Sequence, residues 1–199
     1  MGARMKGLWP LAIVGGVLVF LWVDFCFDAN FGPKITGPIP QFSAACAAAF
    51  VSWGFYFAAG TGKSGFQKAL VGSVFGVVAG WLLMLIGPKV SGQIWGAALT
   101  AGVLAIILIF CIAINDIVFV PAAFGAFASV VFVWIITGLA NLAPASPTQV
   151  DPTSVAIDVL IALVVGCVLG ILHTTIAAAI TPKGQKADEA AAVQEIVDR

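Results

Sequence analysis

Six nearly unbroken apolar stretches, at residues 8–27, 42–60, 66–87, 94–114, 117–142 and 153–181, alternate with short segments rich in glycine, proline and polar side chains. Each runs close to the roughly 20 residues that an α-helix needs to cross a hydrocarbon core of about 30 Å. The pattern predicts an all-α fold, a polytopic membrane helix bundle of six transmembrane helices. Its longest connections are residues 28–41 and 143–152, and the first holds Gly32-Pro33 and Gly37-Pro38-Ile39-Pro40, which cannot continue a helix. The short basic start and first stretch resemble a signal peptide, but the stretch is too long and no small-residue cleavage site follows, so it reads as an uncleaved helix. Composition changes after residue 182. Residues 183–199 are polar with a weak apolar stripe, which divides the chain into a transmembrane domain (1–182) and a cytoplasmic tail (183–199).

Composition supports the same solvent. Of 199 residues, 61% are hydrophobic and 9% charged, whereas a soluble domain is about 25% charged. Nine basic and nine acidic residues cancel and no basic stripe exists, which argues against nucleic acid as a partner. Where the basic residues fall is informative: Arg4, Lys6, Lys63, Lys68, Lys183, Lys186 and Arg199 share one face of the six-span topology, and only Lys34 and Lys89 the other. The positive-inside rule then places both termini in the cytoplasm. Trp9 marks the inner end of the first helix, Trp22, Trp81, Trp95 and Trp134 lie toward outer ends where indoles favour headgroups, and mid-helix Trp53 is expected to pack between helices. Cys26, Cys46, Cys111 and Cys167 lack CxxC spacing and read as small packing residues, although the outer-end positions of Cys26 and Cys46 leave a disulfide between them open.

Motifs of soluble enzymes fail on inspection. Gly60-Thr61-Gly62-Lys63-Ser64 has the end of a phosphate-binding loop, but Phe57 stands where its first glycine belongs and no strand precedes it. Gly60 reads instead as a helix C-cap and Lys63 as a topology determinant. The single histidine, His173, has no second ligand at i+3 or i+4, and no HExxH, GxSxG or paired-carboxylate pattern occurs. No metal, no cofactor and no enzymatic activity is expected.

Ionisable groups inside a span need an explanation, since an acid at the membrane centre costs about 2.5–3.5 kcal/mol on insertion scales. Asn115-Asp116 is expected to cap the fifth helix, and Asp151-Pro152 the sixth. Asp158, about 8 Å into the sixth helix, lines a pore mouth or faces water. Asp24 opposes the negative end of the first helix dipole and either faces water or pairs with Lys34 or Lys89. His173 is a proton relay or hydrogen-bonded glue, accompanied by Thr174 and Thr175. Gly72, Gly76 and Gly80 on the third helix, and Gly166 and Gly170 on the sixth, recur at spacing four and form close-packing faces. Pro121, Gly125 and Ser129 make a similar stripe on the fifth, where Pro121 could kink the helix and free a carbonyl.

Tyr56-Phe57-Ala58-Ala59-Gly60-Thr61-Gly62 and Phe119-Val120-Pro121-Ala122-Ala123-Phe124 resemble the two motif regions of the YcdZ-like family of bacterial inner-membrane proteins, which has no established activity. The resemblance spans most of the apolar region and adds Tyr56 to the candidate path residues. With the motifs on helices 2 and 5 and glycine faces on helices 3 and 6, it suits two three-helix halves, the second inverted. The expected function is a small-solute channel or secondary transporter, with its path between the halves and lined by helices 2, 3, 5 and 6. Scarce buried charge favours a small or neutral solute. Asp24, Asp158, His173, Pro121 and Tyr56 are the candidate path residues. The alternative is a non-transporting accessory or scaffold subunit of a membrane complex. Lipid and a small solute are the expected partners, and small-residue faces suit a homo-oligomer.

Overall fold

The computed structural model describes residues 2–27, 45–91, 94–114, 116–136 and 151–182. Six α-helices follow in order: α1 (Gly2–Phe27), α2 (Ala47–Ala58), α3 (Gly62–Ser91), α4 (Ile94–Phe110), α5 (Val120–Ile136) and α6 (Pro152–Ile180). A 3-10 turn, Cys111–Ile114, extends α4. No strand occurs among the described residues. Among the described residues four helices are long and apolar enough to cross a membrane, through Leu8–Cys26, Gly62–Val90, Gly96–Ile114 and Pro152–Ile180. α2 and α5 are shorter, about 18 and 25 Å at 1.5 Å per residue. The fold is therefore all-helical and of membrane character, and its large exposed side chains, such as Phe20, Leu99 and Phe110, suit lipid rather than water. The tail, Lys34 and most of both long connections lie outside the described residues.

Local chemistry sets the helix ends. The Asp151 carboxylate accepts from Ser154 N–H at 3.1 Å, and Pro152 takes the first helical position, where a missing N–H costs nothing. α2 ends in a Schellman turn: Gly60 N–H donates to Phe57 O and Thr61 N–H to Tyr56 O, both at 3.1 Å. Gly60 (φ +99°) therefore stands one place beyond the C-cap, Ala59, in the left-handed region that glycine enters freely. α3 begins at Gly62 and runs through Pro88, beyond the apolar stretch at both ends, because hydropathy marks the buried length of a helix and not its polar first turn.

The expected start of the fifth helix is corrected. Asp116 lies in an exposed turn where Ile117 and Val118 N–H groups close onto Ile114 O at 2.9 Å, and α5 begins only at Val120. Asp116 is thus not its N-cap. Pro121 falls in the first turn of α5, where the N–H it lacks would have no intrahelical partner, so it makes no mid-helix kink.

α2, α3, α5 and α6 form the centre. Their buried side chains, among them Ala48, Val77, Val130, Val133, Val159 and Leu163, make one cluster. α3 and α5 run in the same direction, since the contacts climb together from Gly72 beside Ala122, through Gly76 beside Ala126, to Gly80 beside Val130. α6 and α2 do the same, from Gly166 beside Ser52 to Gly170 beside Tyr56. The two pairs are antiparallel: Trp81 on α3 reaches Thr153 on α6 (Nε1–H to Oγ1, 3.3 Å), while Ala69 packs with Cys167. α1 lies on α6 and α4 on α3, so each outer helix covers one long inner helix.

A disulfide joins Cys26, at the end of α1, to Cys46, ahead of α2, with 6.2 Å between Cα atoms. These two are therefore not simply packing residues; Cys111 and Cys167 are, as buried free thiols.

Candidate functional site

Polar side chains group toward both ends of the bundle, and buried Ser73, whose hydroxyl has no partner, lies between them in α3. At the end that holds the α2–α3 turn, Trp53 Nε1–H donates to His173 Nδ1 at 3.2 Å, which leaves the imidazole proton on Nε2, 2.7 Å from Leu11 O on α1. The ring meets Trp53 and Phe57 edge to face. Gly15 of α1 faces it, and a methyl there would come within 2.9 Å of Cε1. His173 thus ties α1, α2 and α6 together with both nitrogens used.

A second chain of bonds runs beside it. Gly62 N–H, at the start of α3, donates to the Tyr56 hydroxyl at 3.0 Å, and Tyr56 bonds Thr174 Oγ1 at 2.8 Å. Tyr56 is almost completely buried, and its hydroxyl satisfies one N–H that the α3 terminus leaves free. One turn toward the centre, Ser52 donates to Leu163 O at 2.6 Å over Gly166, where a side chain would remove the space. Ser52, Trp53 and Gly15 were not among the expected site residues. Trp53 was expected only to pack between helices, which it does; the signal for Ser52 is the helical face it shares with Ala49 and Tyr56.

The two acids belong to the opposite end, with the disulfide. Asp158 is 1% exposed and its Oδ2 has no hydrogen-bond partner, so the reading in which it faces water is overturned. It shares a helical face with Val165 and Leu169, which pack with Trp22 and Cys46, so it sits on the side of α6 that carries α1. Asp24 is also buried, at 8% exposure, and makes no ion pair with Lys89. Trp22, expected among headgroups, is turned inward: its Nε1–H donates to Cys46 O at 3.1 Å. The candidates thus do not form one site. Tyr56 and His173 come together, Asp24 and Asp158 lie at the other end, and Pro121 is alone and exposed at the start of α5. Among the described residues no three His, Cys, Asp or Glu side chains are close enough to hold a metal ion.

Between α2 and α5 lies an open cleft of about 310 Å³, walled by Ala48, Val51 and Phe55 on one side and Gly125, Ser129 and Val133 on the other. Its only hydroxyl, on Ser129, donates to Gly125 O at 2.8 Å. Ala48 and Val133 in its floor belong to the central cluster.

No curated protein and no solved structure matches the chain. The resemblance read from the sequence implied a family without established activity, and a family model that matches agrees at that level. That model, described as a protein of unknown function, DUF1097, covers residues 12–178, from the first helix through the sixth, and the chain belongs to this family.

Proposed function

We propose that this protein is a small-solute channel or secondary transporter, built from six spans in two inverted three-helix halves. The observation that carries the reading is the matching of contacts when the halves are exchanged. Replacing α1 by α4, α2 by α5 and α3 by α6 turns the α2–α6 pair into α5–α3, and the α1–α6 pair into α4–α3. The match extends to residues: Ala49, Ser52 and Tyr56 meet Gly166 and Gly170 at the same spacings at which Ala123, Ala126 and Val130 meet Gly76 and Gly80. Inverted halves of this kind recur in transporters, where the path lies at their interface. That interface, between α2, α3, α5 and α6, is small and apolar, which favours a small neutral solute over an ion.

Orientation in a bacterial inner membrane, with both termini cytoplasmic, belongs to the same proposal, as does kinship with the YcdZ-like proteins. Two independent features support the orientation. Basic residues favour the side of Lys63 and Lys68, and the Cys26–Cys46 disulfide, at the opposite end, requires an oxidising compartment. The Trp53–His173–Leu11 and Gly62–Tyr56–Thr174 bonds then hold the cytoplasmic end shut. Purified protein in liposomes tests the function: solute-dependent swelling or counterflow is expected, whereas no flux together with a stoichiometric copurified partner would favour the accessory role.

A further inference from the structure

We infer that the cleft between α2 and α5 is a binding site for a single acyl chain of a membrane lipid. This is a statement about binding and does not depend on whether the protein transports anything.

The occupant follows from the chemistry of the walls. Ala48, Val51, Phe55 and Val133 offer only hydrocarbon, and the one hydroxyl, Ser129, is spent on Gly125 O. A polar or charged ligand would lose its water there and gain no bond, which costs several kcal/mol. A hydrocarbon chain loses nothing. The shape is also that of a chain: the cleft runs along α2 from Ala47 to Phe55, about 12 Å at 1.5 Å per residue. It closes at one end, where the Phe55 ring lies so tightly on Gly125 that a methyl group could not be added. Phe132 stands exposed at its rim, and the floor is continuous with the central cluster of four helices. The face of α4 on which Leu99, Val103 and Phe110 are exposed serves as the reference for ordinary lipid contact.

The test uses the full chain in phosphatidylcholine liposomes doped with a phospholipid that carries a photoactivatable diazirine on its acyl chain, with adducts mapped by mass spectrometry. Adducts at Val51, Phe55 and Phe132 should exceed those at Leu99, Val103 and Phe110 severalfold. Ala128→Phe and Ala47→Leu fill the cleft from opposite walls, and either one, with its thermal unfolding retained, should abolish the excess. Equal labelling of the cleft and α4 in the wild-type protein would overturn the inference, as would an excess at the cleft that survives in both filled variants.

Discussion

Gly76 and Gly166 hold equivalent places in the bundle: a methyl group on Gly76 would overlap the carbonyl oxygen of Ala123, and one on Gly166 that of Ala49. Each glycine lets a long helix press its backbone against a shorter parallel one. Because the obstructing atom is main chain in both cases, no rotamer change relieves the clash, and helix axes must separate.

Gly76→Ala and Gly166→Ala should each lower stability by about 1–3 kcal/mol, the usual cost of overpacking. Gly54→Ala is the control. Nothing lies within 4 Å of its added methyl, so it should be neutral or gain up to about 1 kcal/mol from helix propensity. Thermal unfolding in detergent compares them, and equal behaviour of all three would contradict the assigned contacts.

The disulfide closes a loop with a sequence separation of 20, for which chain entropy predicts about 3 kcal/mol. Reducing agent should lower the unfolding temperature of the native protein. A Cys26→Ser/Cys46→Ser protein should start low and ignore the reductant. Reductant sensitivity that survives in the double variant would place the effect elsewhere.

Trp53 and His173, 120 residues apart, share a hydrogen bond and an edge-to-face contact. A double-mutant cycle on Trp53→Phe and His173→Gln should yield a coupling of about 0.5–1.5 kcal/mol, in the range of interhelical bonds in membranes. Additive losses would mean that the two side chains act independently.

Asp158 is buried with Oδ2 unpartnered, and a charge in that position opposes folding. Asp158→Asn keeps the shape and removes the charge. It should leave stability unchanged or raise it by about 1 kcal/mol. A loss beyond about 2 kcal/mol, on unfolding at neutral pH, would mean that the carboxylate has a partner that Asn cannot serve.

The sequence was most readable where a single helix decides the outcome. Asp151-Pro152 announces the start of α6 because its capping geometry is local, and Gly60 announces the end of α2 for the same reason. Asp116 misled because a capping residue type does not fix where the helix begins, and the chain instead turned back on Ile114. The glycine faces were visible as stripes, but their partners were not, since a stripe says that something approaches and not what. Asp158 could not be placed from its depth alone: a helix apolar all round carries no periodicity to reveal which face a lone acid takes. His173, Trp53 and Leu11 meet through folding across the whole chain, and Cys26 reaches Cys46 across a Gly/Pro-rich segment whose path no spacing rule gives.

The central claim is that the two halves cross the membrane in opposite senses, and the pairing of Gly76 with Gly166 supplies its sharpest test. Lys63 and Thr153 stand the same number of residues before those glycines, near the starts of the antiparallel α3 and α6. In a background with Cys111 and Cys167 replaced by alanine, single cysteines are placed at each position and intact cells treated with a membrane-impermeant thiol reagent. The account predicts that Thr153→Cys reacts from outside and that Lys63→Cys reacts only after permeabilisation. Labelling of both from the same side, or of Lys63→Cys alone from outside, would contradict it.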